Sequence, residues 1–165
     1  MQSAATVEFV SSPFRIKSIL VPIDFSIPSK KALAYAVPLA EQFGAKLTLL
    51  HVVESLATPD FVKSFPLMME NEKVTAACQG QLEHIIKEQA IDPRLVEKAL
   101  VRHGRAFREI AEAARTLKVD LIVISTHGYT GLKHVLLGSA TERVVRHAPC
   151  PVLVVREQER EFLAG

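Results

Sequence analysis

The stretch Leu121-Ile122-Val123-Ile124-Ser125 is an uninterrupted run of branched apolar residues that ends in a small polar one. Runs of this kind are typical of strands that are covered on both faces, as in a parallel sheet. Thr126-His127-Gly128 follows directly, and a glycine with small polar neighbours indicates a turn. The stretch therefore predicts a buried parallel strand whose carboxyl end opens into a turn.

Outward from this strand, apolar runs alternate with segments of helical periodicity. The other predicted strands cover residues 16–23, 46–53, 96–101 and 152–155, and helices are predicted around 33–43, 74–86, 110–117 and 139–147. Gly44 is expected to close the first helix and Pro38 to bend it. Residues 54–69 show no clear period and contain two prolines, which predicts a long loop with room for a turn of helix.

The alternation of strands and helices predicts parallel pairing through right-handed crossovers. We therefore expect an open, doubly wound, five-stranded parallel sheet of the Rossmann-like α/β class, with helices on both faces. In such sheets ligands bind beyond the carboxyl ends of the strands, where the strand order reverses. Four segments occupy those ends: Pro22-Ile23-Asp24, His51-Val52-Val53, Arg102-His103-Gly104 and Ser125-Thr126-His127-Gly128.

Length, charge and cysteine content restrict the class of protein. The 165 residues suit one domain, and 20 basic against 18 acidic side chains without a basic cluster argue against a nucleic-acid surface. No apolar run reaches the roughly 18–20 residues that cross a bilayer, and residues 1–15 do not resemble a signal peptide. Cys78 and Cys150 have no metal-like spacing and are expected to be free thiols. We expect a cytoplasmic, soluble protein with no membrane or nucleic-acid partner.

A second glycine turn precedes the last helix, at Gly138-Ser139-Ala140-Thr141. Main-chain N–H groups at a helix N-terminus form an anion site, and Gly138 lets a phosphate approach the backbone closely. Ser139 and Thr141 add hydroxyl donors, and Gly128 removes a side chain where a ribose or phosphate would pass. Ser139 is equally suited to serve only as the helix cap. Neither a Walker A loop nor a Gly-x-Gly-x-x-Gly fingerprint is present, so these residues alone leave both interpretations open.

From about Phe14 to Arg156 the chain resembles the universal stress protein family. Residues 21–26 resemble the first strand of the family with its acidic turn, and residues 50–53 resemble its second strand. Residues 126–139 and then 149–155 resemble its C-terminal signature. The resemblance implies the strand order 3-2-1-4-5. We expect one domain over residues 14–156, with a flexible extension at 1–13 and a charged tail at 157–165.

The nucleotide-binding branch of this family carries Gly-x-x-Gly, nine residues, and then Gly-Ser or Gly-Thr. Here Gly128, a nine-residue spacer (129–137) and Gly138-Ser139 match that pattern, whereas Ser125 replaces the first glycine. A side chain at that position either crowds a close backbone approach or donates a hydrogen bond. We expect nucleotide binding to survive the replacement and to be weaker.

The resemblance implies an adenine nucleotide as ligand: ATP, ADP or AMP, with Mg2+ or Mn2+ carried by the phosphates. Pro22, Ile23 and Asp24 would then line the adenosine end, Asp24 accepting a hydrogen bond from it, and Val52 would pack on the adenine. By its position alone, Asp24 is also suited to cap the first helix. The residues implied at the ribose and phosphates are Ile124, Ser125, Gly128, Gly138, Ser139, Ala140 and Thr141.

The resemblance also implies a regulatory, stress-response homodimer that pairs through the last strand, Val152–Val155. At a sheet edge this strand would expose unpaired N–H and C=O groups, and pairing with a second copy satisfies them. The alternative is a member of the non-nucleotide-binding branch that acts as a protein-interaction module. In either case the sequence does not identify the protein partner.

Catalytic and metal chemistry have weak support in the sequence. Phosphoryl transfer needs an oriented nucleophile, and no base is assigned opposite Lys133 and Arg143, so we expect at most slow ATP hydrolysis. His127, His134 and His147 fall in one region without a motif spacing, so no protein-built metal site is expected.

Overall fold

The computed structural model describes residues 14–54, 65–126 and 138–157 of the chain. Along these residues five strands alternate with four helices. Their bounds are β1 Ser18–Pro22, α1 Ile27–Phe43, β2 Lys46–Val53, α2 Phe65–Glu88, β3 Val96–His103, α3 Ala106–Thr116, β4 Leu121–Ser125, α4 Ser139–His147 and β5 Val152–Val155.

All five strands pair in parallel in the order β3-β2-β1-β4-β5, which confirms the predicted sheet. β1 lies at the centre, where Ile19 is opposite Leu47 of β2 and Leu121 of β4. The chain proceeds from β1 outward to β2 and β3, and then returns to the other side of β1 for β4 and β5. The strand order therefore reverses between β1 and β4, the place where sheets of this kind bind ligands.

Alternate side chains of each strand enter two cores, one on each face of the sheet. On β1, Ile19 and Val21 belong to the core formed with α1 and α2, whereas Leu20 belongs to the core formed with α3 and α4. On β4, Val123 enters the first core and Ile122 the second, and all five side chains are fully buried. Because both faces are covered, the strands read as continuous apolar runs rather than as alternating ones.

Asp120 holds the amino ends of the two central strands together. Its carboxylate accepts hydrogen bonds from the main-chain N–H groups of Lys17 (2.8 Å) and Ser18 (3.0 Å). Its own N–H donates to the carbonyl of Ser18 over 2.9 Å. These bonds set the start of β4 against the start of β1, and thereby the relative position of the carboxyl ends, where the cleft described below lies.

α1 follows the predicted pattern at its C-terminus. Ser26 is its N-cap, the helix continues through Pro38, and Gly44 ends it in the left-handed conformation with φ of 64°. Glycine adopts this conformation at little steric cost, as the sequence predicts.

In the described part of the chain, no helix combines the length and the apolar content that a membrane span requires.

Several predicted boundaries are wrong. β1 covers Ser18–Pro22 rather than residues 16–23, and α1 begins at Ile27 rather than near residue 33. α2 begins at Phe65, within the segment predicted as a loop; Pro66, one of the two prolines that suggested the loop, falls in the first turn of the helix, where proline is tolerated. β3 extends to His103 rather than to residue 101. α3 begins at Ala106, one turn before Ile110, the first apolar residue of its predicted pattern. Residues 55–64 of the predicted loop lie outside the described residues.

Candidate functional site

A cleft opens at the carboxyl ends of β1, β2 and β4, between the first turns of α3 and α4. Its empty space, part of which is open solvent, amounts to about 510 Å³. The walls are mainly apolar. The lining residues are Pro22, Ile23, Asp24, Ser29, Leu50, Val52, Ala106, Ile110, Ile124, Ser125, Ala140 and Thr141.

The turn after β1 is built around Asp24. Its Oδ1 accepts hydrogen bonds from the main-chain N–H of Ser26 (3.1 Å) and from the Ser26 hydroxyl. Ser26 in turn caps α1, because its side chain accepts from the N–H of Ser29. The interpretation of Asp24 as the cap of α1 is therefore wrong. The carboxylate instead stabilises the turn and lines the cleft.

His51 of β2 supports the same turn by contacts with Phe25 and with the carbonyl of Ile23. Phe25 has φ of 66°, a conformation that is uncommon for a residue with a bulky side chain and that needs support from its surroundings. The His51 ring lies 4.4 Å from the Phe25 ring, centroid to centroid, and its Nδ1 is 2.7 Å from the carbonyl oxygen of Ile23. The ends of β1 and β2 are thus tied together beside the cleft.

The N-terminus of α4 carries no side-chain cap. Gly138 occupies the N-cap position with φ of −61° and ψ of 145°, and Ser139 is the exposed first helical residue. The interpretation of Ser139 as the capping residue is therefore wrong. Gly138 is anchored by its N–H, which donates to the carbonyl of Thr126 over 2.7 Å. The first N–H groups of a helix have no carbonyl one turn back, so the start of α4 presents main-chain donors.

Thr141 uses its hydroxyl within the protein. Its Oγ1 donates to the main-chain carbonyl of Ser125 over 2.8 Å, and both residues are buried. The sequence predicts that this hydroxyl donates to a phosphate, but its proton is already directed at Ser125. The contribution of α4 to an anion therefore lies with its main-chain N–H groups.

The N-terminus of α3 differs from that of α4, because a carboxylate already occupies it. Oε1 of Glu54, the residue after β2, accepts a hydrogen bond from the N–H of Ala106 over 2.7 Å. Arg105, at the N-cap position, makes no side-chain cap bond. The cleft therefore has one helix N-terminus filled by an acidic side chain and another capped only by glycine.

The structure brings most of the predicted site residues together. Gly138 and Ser139 adjoin the cleft at the start of α4 without lining it, and Gly128 lies outside the described residues. Of the four predicted strand ends, that of β3 does not reach the cleft, since His103 contacts Thr75 of α2 instead. The predicted residues that do line the cleft are Pro22, Ile23, Asp24, Val52, Ile124, Ser125, Ala140 and Thr141.

Sequence reasoning missed four lining residues: Ser29, Leu50, Ala106 and Ile110. Ile110 and Leu50 are apolar positions of a helix and a strand, and their pattern gave no sign that one edge of the core is open. Among the described residues, no three His, Cys, Asp or Glu side chains are grouped as a metal would require.

Fold and cleft together define a doubly wound α/β protein of the class that binds ligands at the strand-order reversal. The sequence model of the universal stress protein family matches residues 15–156, and this chain belongs to that family. A universal stress protein of Thermus aquaticus is 37% identical over 144 residues, covering 85% of this chain and 98% of its own length.

Solved structures agree with the sequence comparison. Universal stress protein UspA from Lactobacillus plantarum has a TM-score of 0.70 and 28% identity, covering 87% of this chain and 100% of that one. A universal stress protein family protein from Arabidopsis thaliana with AMP bound has a TM-score of 0.56 and 21% identity, covering 86% and 92%. At that identity the likeness to the plant protein shows the fold alone.

Proposed function

We propose that this chain binds an adenine nucleotide in the cleft and acts as a nucleotide-dependent regulatory protein. The observation that carries the proposal is the glycine-capped N-terminus of α4 beside a mainly apolar cleft. Main-chain donors at a helix start suit a phosphate, and a mainly apolar slot suits a base.

The two helix N-termini set the direction of the ligand. Phosphate goes to α4, whose start carries no acidic side chain at the cap. It is disfavoured at α3, because the carboxylate of Glu54 already accepts from Ala106 there and repels a second anion. The base and ribose then lie toward Leu50, Val52 and Ile110, the apolar side of the cleft.

Asp24 suits the adenosine end of such a ligand. A carboxylate has several acceptor positions, so its bonds to Ser26 do not by themselves exclude a donor from the ribose or base. Ser125 lines the cleft where the family pattern has glycine, and its carbonyl is held by Thr141. The Ser125 side chain leaves a ribose or phosphate less room to approach the backbone than a glycine would. We therefore expect the nucleotide to bind more weakly here than in a relative that has glycine at this position.

AMP, ADP and ATP are the ligands to test, since the Arabidopsis thaliana protein that shares this fold has AMP bound. Asp24 is the sole ionisable residue among those found to line the cleft. Mg2+ or Mn2+ would therefore be carried mainly by the nucleotide phosphates. Among the described lining residues Asp24 is the one possible base, and because we assign it to the adenosine end, we expect hydrolysis of the phosphates to be slow at most.

The decisive test replaces one main-chain donor. Ser139→Pro removes the N–H of the first helical residue, a position where proline is tolerated. Gly138 already has the extended conformation that a following proline requires. Isothermal titration with ATP should give about tenfold weaker binding for this variant, the loss of one charge-assisted hydrogen bond.

Ser139→Ala is the matched control, because it keeps the N–H and loses only an exposed hydroxyl. We expect its affinity to stay within about threefold of the wild type, since the phosphate contact is assigned to the backbone. Wild-type protein stripped of co-purified ligand that releases no heat at millimolar ATP, ADP or AMP would refute nucleotide binding. That result would favour the protein-interaction module of the family.

A cytoplasmic location is part of the proposal. Cys78 and Cys150 are free thiols, as is usual in a reducing compartment. Burial raises the pKa of both thiols, and for Cys150 the nearby carboxylate of Asp120 raises it further. Thiols of this kind are poor nucleophiles near neutral pH, which suits a structural role.

We further propose that two copies pair through β5. This strand lies at one edge of the sheet and is made of Val152, Leu153, Val154 and Val155, without a charge. The opposite edge strand, β3, carries Glu97 and Lys98 on exposed positions, and charges there discourage strand pairing. An isologous two-fold contact would satisfy the free edge of β5.

A further inference from the structure

Two arginines from different helices lie over one aromatic ring at the outer side of the cleft. The guanidinium carbon of Arg143, on α4, is 5.0 Å from the centroid of the Phe107 ring, and that of Arg108, on α3, is 5.8 Å from it. His147 lies beside the same ring, 6.2 Å away between centroids. We call Phe107, Arg108 and Arg143 the rim cluster.

The rim arginines have no acidic partner among the described residues; this is also true of Arg15 and Arg105, but of these four only the rim arginines lie over an aromatic ring. Arg115 and Arg146 form ion pairs with glutamates on their own helices, and Arg102 pairs with Glu109. Over the described residues, neither Arg108 nor Arg143 lies within ion-pair distance of a carboxylate. Both are exposed. The contact of a guanidinium with the face of a ring uses none of its N–H groups as hydrogen-bond donors, so these N–H groups can bind an anion.

The rim cluster borders the cleft through both helices. Phe107 directly follows Ala106, a lining residue at the start of α3. Arg143 follows Ala140, a lining residue of α4, by three positions, and residues three apart share a helix face. The ring of Phe107 thus joins the first turn of α3 to the exposed side of α4 that carries Arg143.

We propose that the rim cluster binds the distal phosphates of a nucleoside di- or triphosphate and so makes the cleft selective for these over a monophosphate. This inference rests on the proposed function. The phosphate nearest the ribose lies at the N-terminus of α4, and phosphates beyond it extend outward to Arg143 and Arg108, whose positive charges offset the negative charge of Glu54 at the start of α3. Arginine binds phosphate oxygens by paired hydrogen bonds, which a single terminal phosphate at α4 does not reach.

The test compares ATP and AMP by isothermal titration in the intact protein and in Arg143→Gln. We expect ATP to bind about tenfold more weakly to the variant, as for one charge-assisted contact, and AMP to change by less than about twofold. Arg115→Gln is the control, because it makes the same charge change on an exposed part of α3 where Glu112 is the partner. It should leave both affinities unchanged at 0.15 M salt, at which charges are screened beyond ~8 Å.

Phe107→Leu tests the ring separately. It keeps an apolar side chain against the core and removes the stacking surface, so ATP affinity should fall by about threefold while AMP affinity stays. Equal losses of ATP and AMP in Arg143→Gln, or no loss of either, would overturn the rim cluster while leaving nucleotide binding intact. If no nucleotide binds the wild type, both the proposed function and this inference fail.

Discussion

Thr141 of α4 donates its hydroxyl to the main-chain carbonyl of Ser125 at the end of β4, over 2.8 Å in a buried setting. The bond joins the strand and the helix that flank residues 127–137. It also places two lining residues of the cleft in fixed relation to each other. The start of α4 therefore owes its position at the sheet to this contact and to the bond between Gly138 and Thr126.

Thr141→Val should lower the stability of the fold. Valine keeps the shape but leaves the buried carbonyl of Ser125 without this donor, which costs about 1–2 kcal/mol of unfolding free energy. Urea denaturation followed by circular dichroism measures the loss. Ser139→Ala, an exposed change on the same helix, is expected to stay within about 0.5 kcal/mol of the wild type. Equal stability of Thr141→Val and wild type would show that the bond is not needed.

Glu54→Gln should strengthen nucleotide binding. The amide oxygen of glutamine can still accept from the N–H of Ala106, while the negative charge beside the cleft disappears. We expect ATP and AMP to bind about two- to fivefold more tightly, and uncharged adenosine to be unaffected, because only the anions feel the removed charge. A titration that shows the same gain for adenosine would mean that Glu54 acts by shape instead.

Val154→Pro should separate the proposed dimer without unfolding the chain. The carbonyls of Pro151 and Val155 accept from Ile122 and Thr126 of the neighbouring β4 segment. Because backbone groups alternate sides along a strand, the N–H of Val154 points away from β4 to the open edge, where proline is tolerated.

Sedimentation equilibrium distinguishes the states, since one chain weighs 18.2 kDa. We expect twice this mass for the wild type and for Val154→Ala, which keeps the N–H, and the single-chain mass for Val154→Pro. A dimeric proline variant would place the interface elsewhere, and a monomeric wild type at micromolar concentration would remove the dimer.

Asp120→Ala should destabilise the fold at the end of the sheet opposite the cleft. It removes a carboxylate that accepts from Lys17 and Ser18, and two partly exposed charge-assisted bonds are worth about 1–3 kcal/mol. Asp92→Ala is the comparison, since that carboxylate bonds only the exposed Arg94 side chain and the adjacent turn. Melting temperatures should fall clearly in the first variant and hardly in the second. Similar values would contradict the role given to Asp120.

Much of the sheet follows directly from the sequence. The bounds of β2, β4, α4 and β5 agree residue by residue with the prediction, because burial on both faces requires continuous apolar runs and leaves a strong local pattern. The position of the cleft follows as well, from the rule that ligands bind where the strand order reverses. Most of the predicted site residues accordingly line one cleft, although their contact with a nucleotide stays a prediction.

The sequence does not identify the N-cap residues of α1 and α4, because the local pattern at a helix start is weak. It left open that Ser139 and Asp24 are caps, yet Gly138 and Ser26 hold those positions. Serine and aspartate are both good caps, so composition does not choose between neighbours. Which residue becomes the N-cap depends on where the backbone enters the helix, and the contacts made by the whole preceding turn determine that point.

Only the tertiary structure decided which groups meet across the cleft. The bond from Ala106 to Glu54 joins residues 52 positions apart, and that from Thr141 to Ser125 joins residues 16 apart. Contacts of this kind leave no periodicity in the sequence, because each side chain is chosen against a partner that is near only after the sheet has formed. The sequence by itself determined the strands, the family and the place of the cleft. Folding determined that the N-terminus of α3 is bonded by Glu54 whereas the N-terminus of α4 is capped by Gly138 without a side-chain bond.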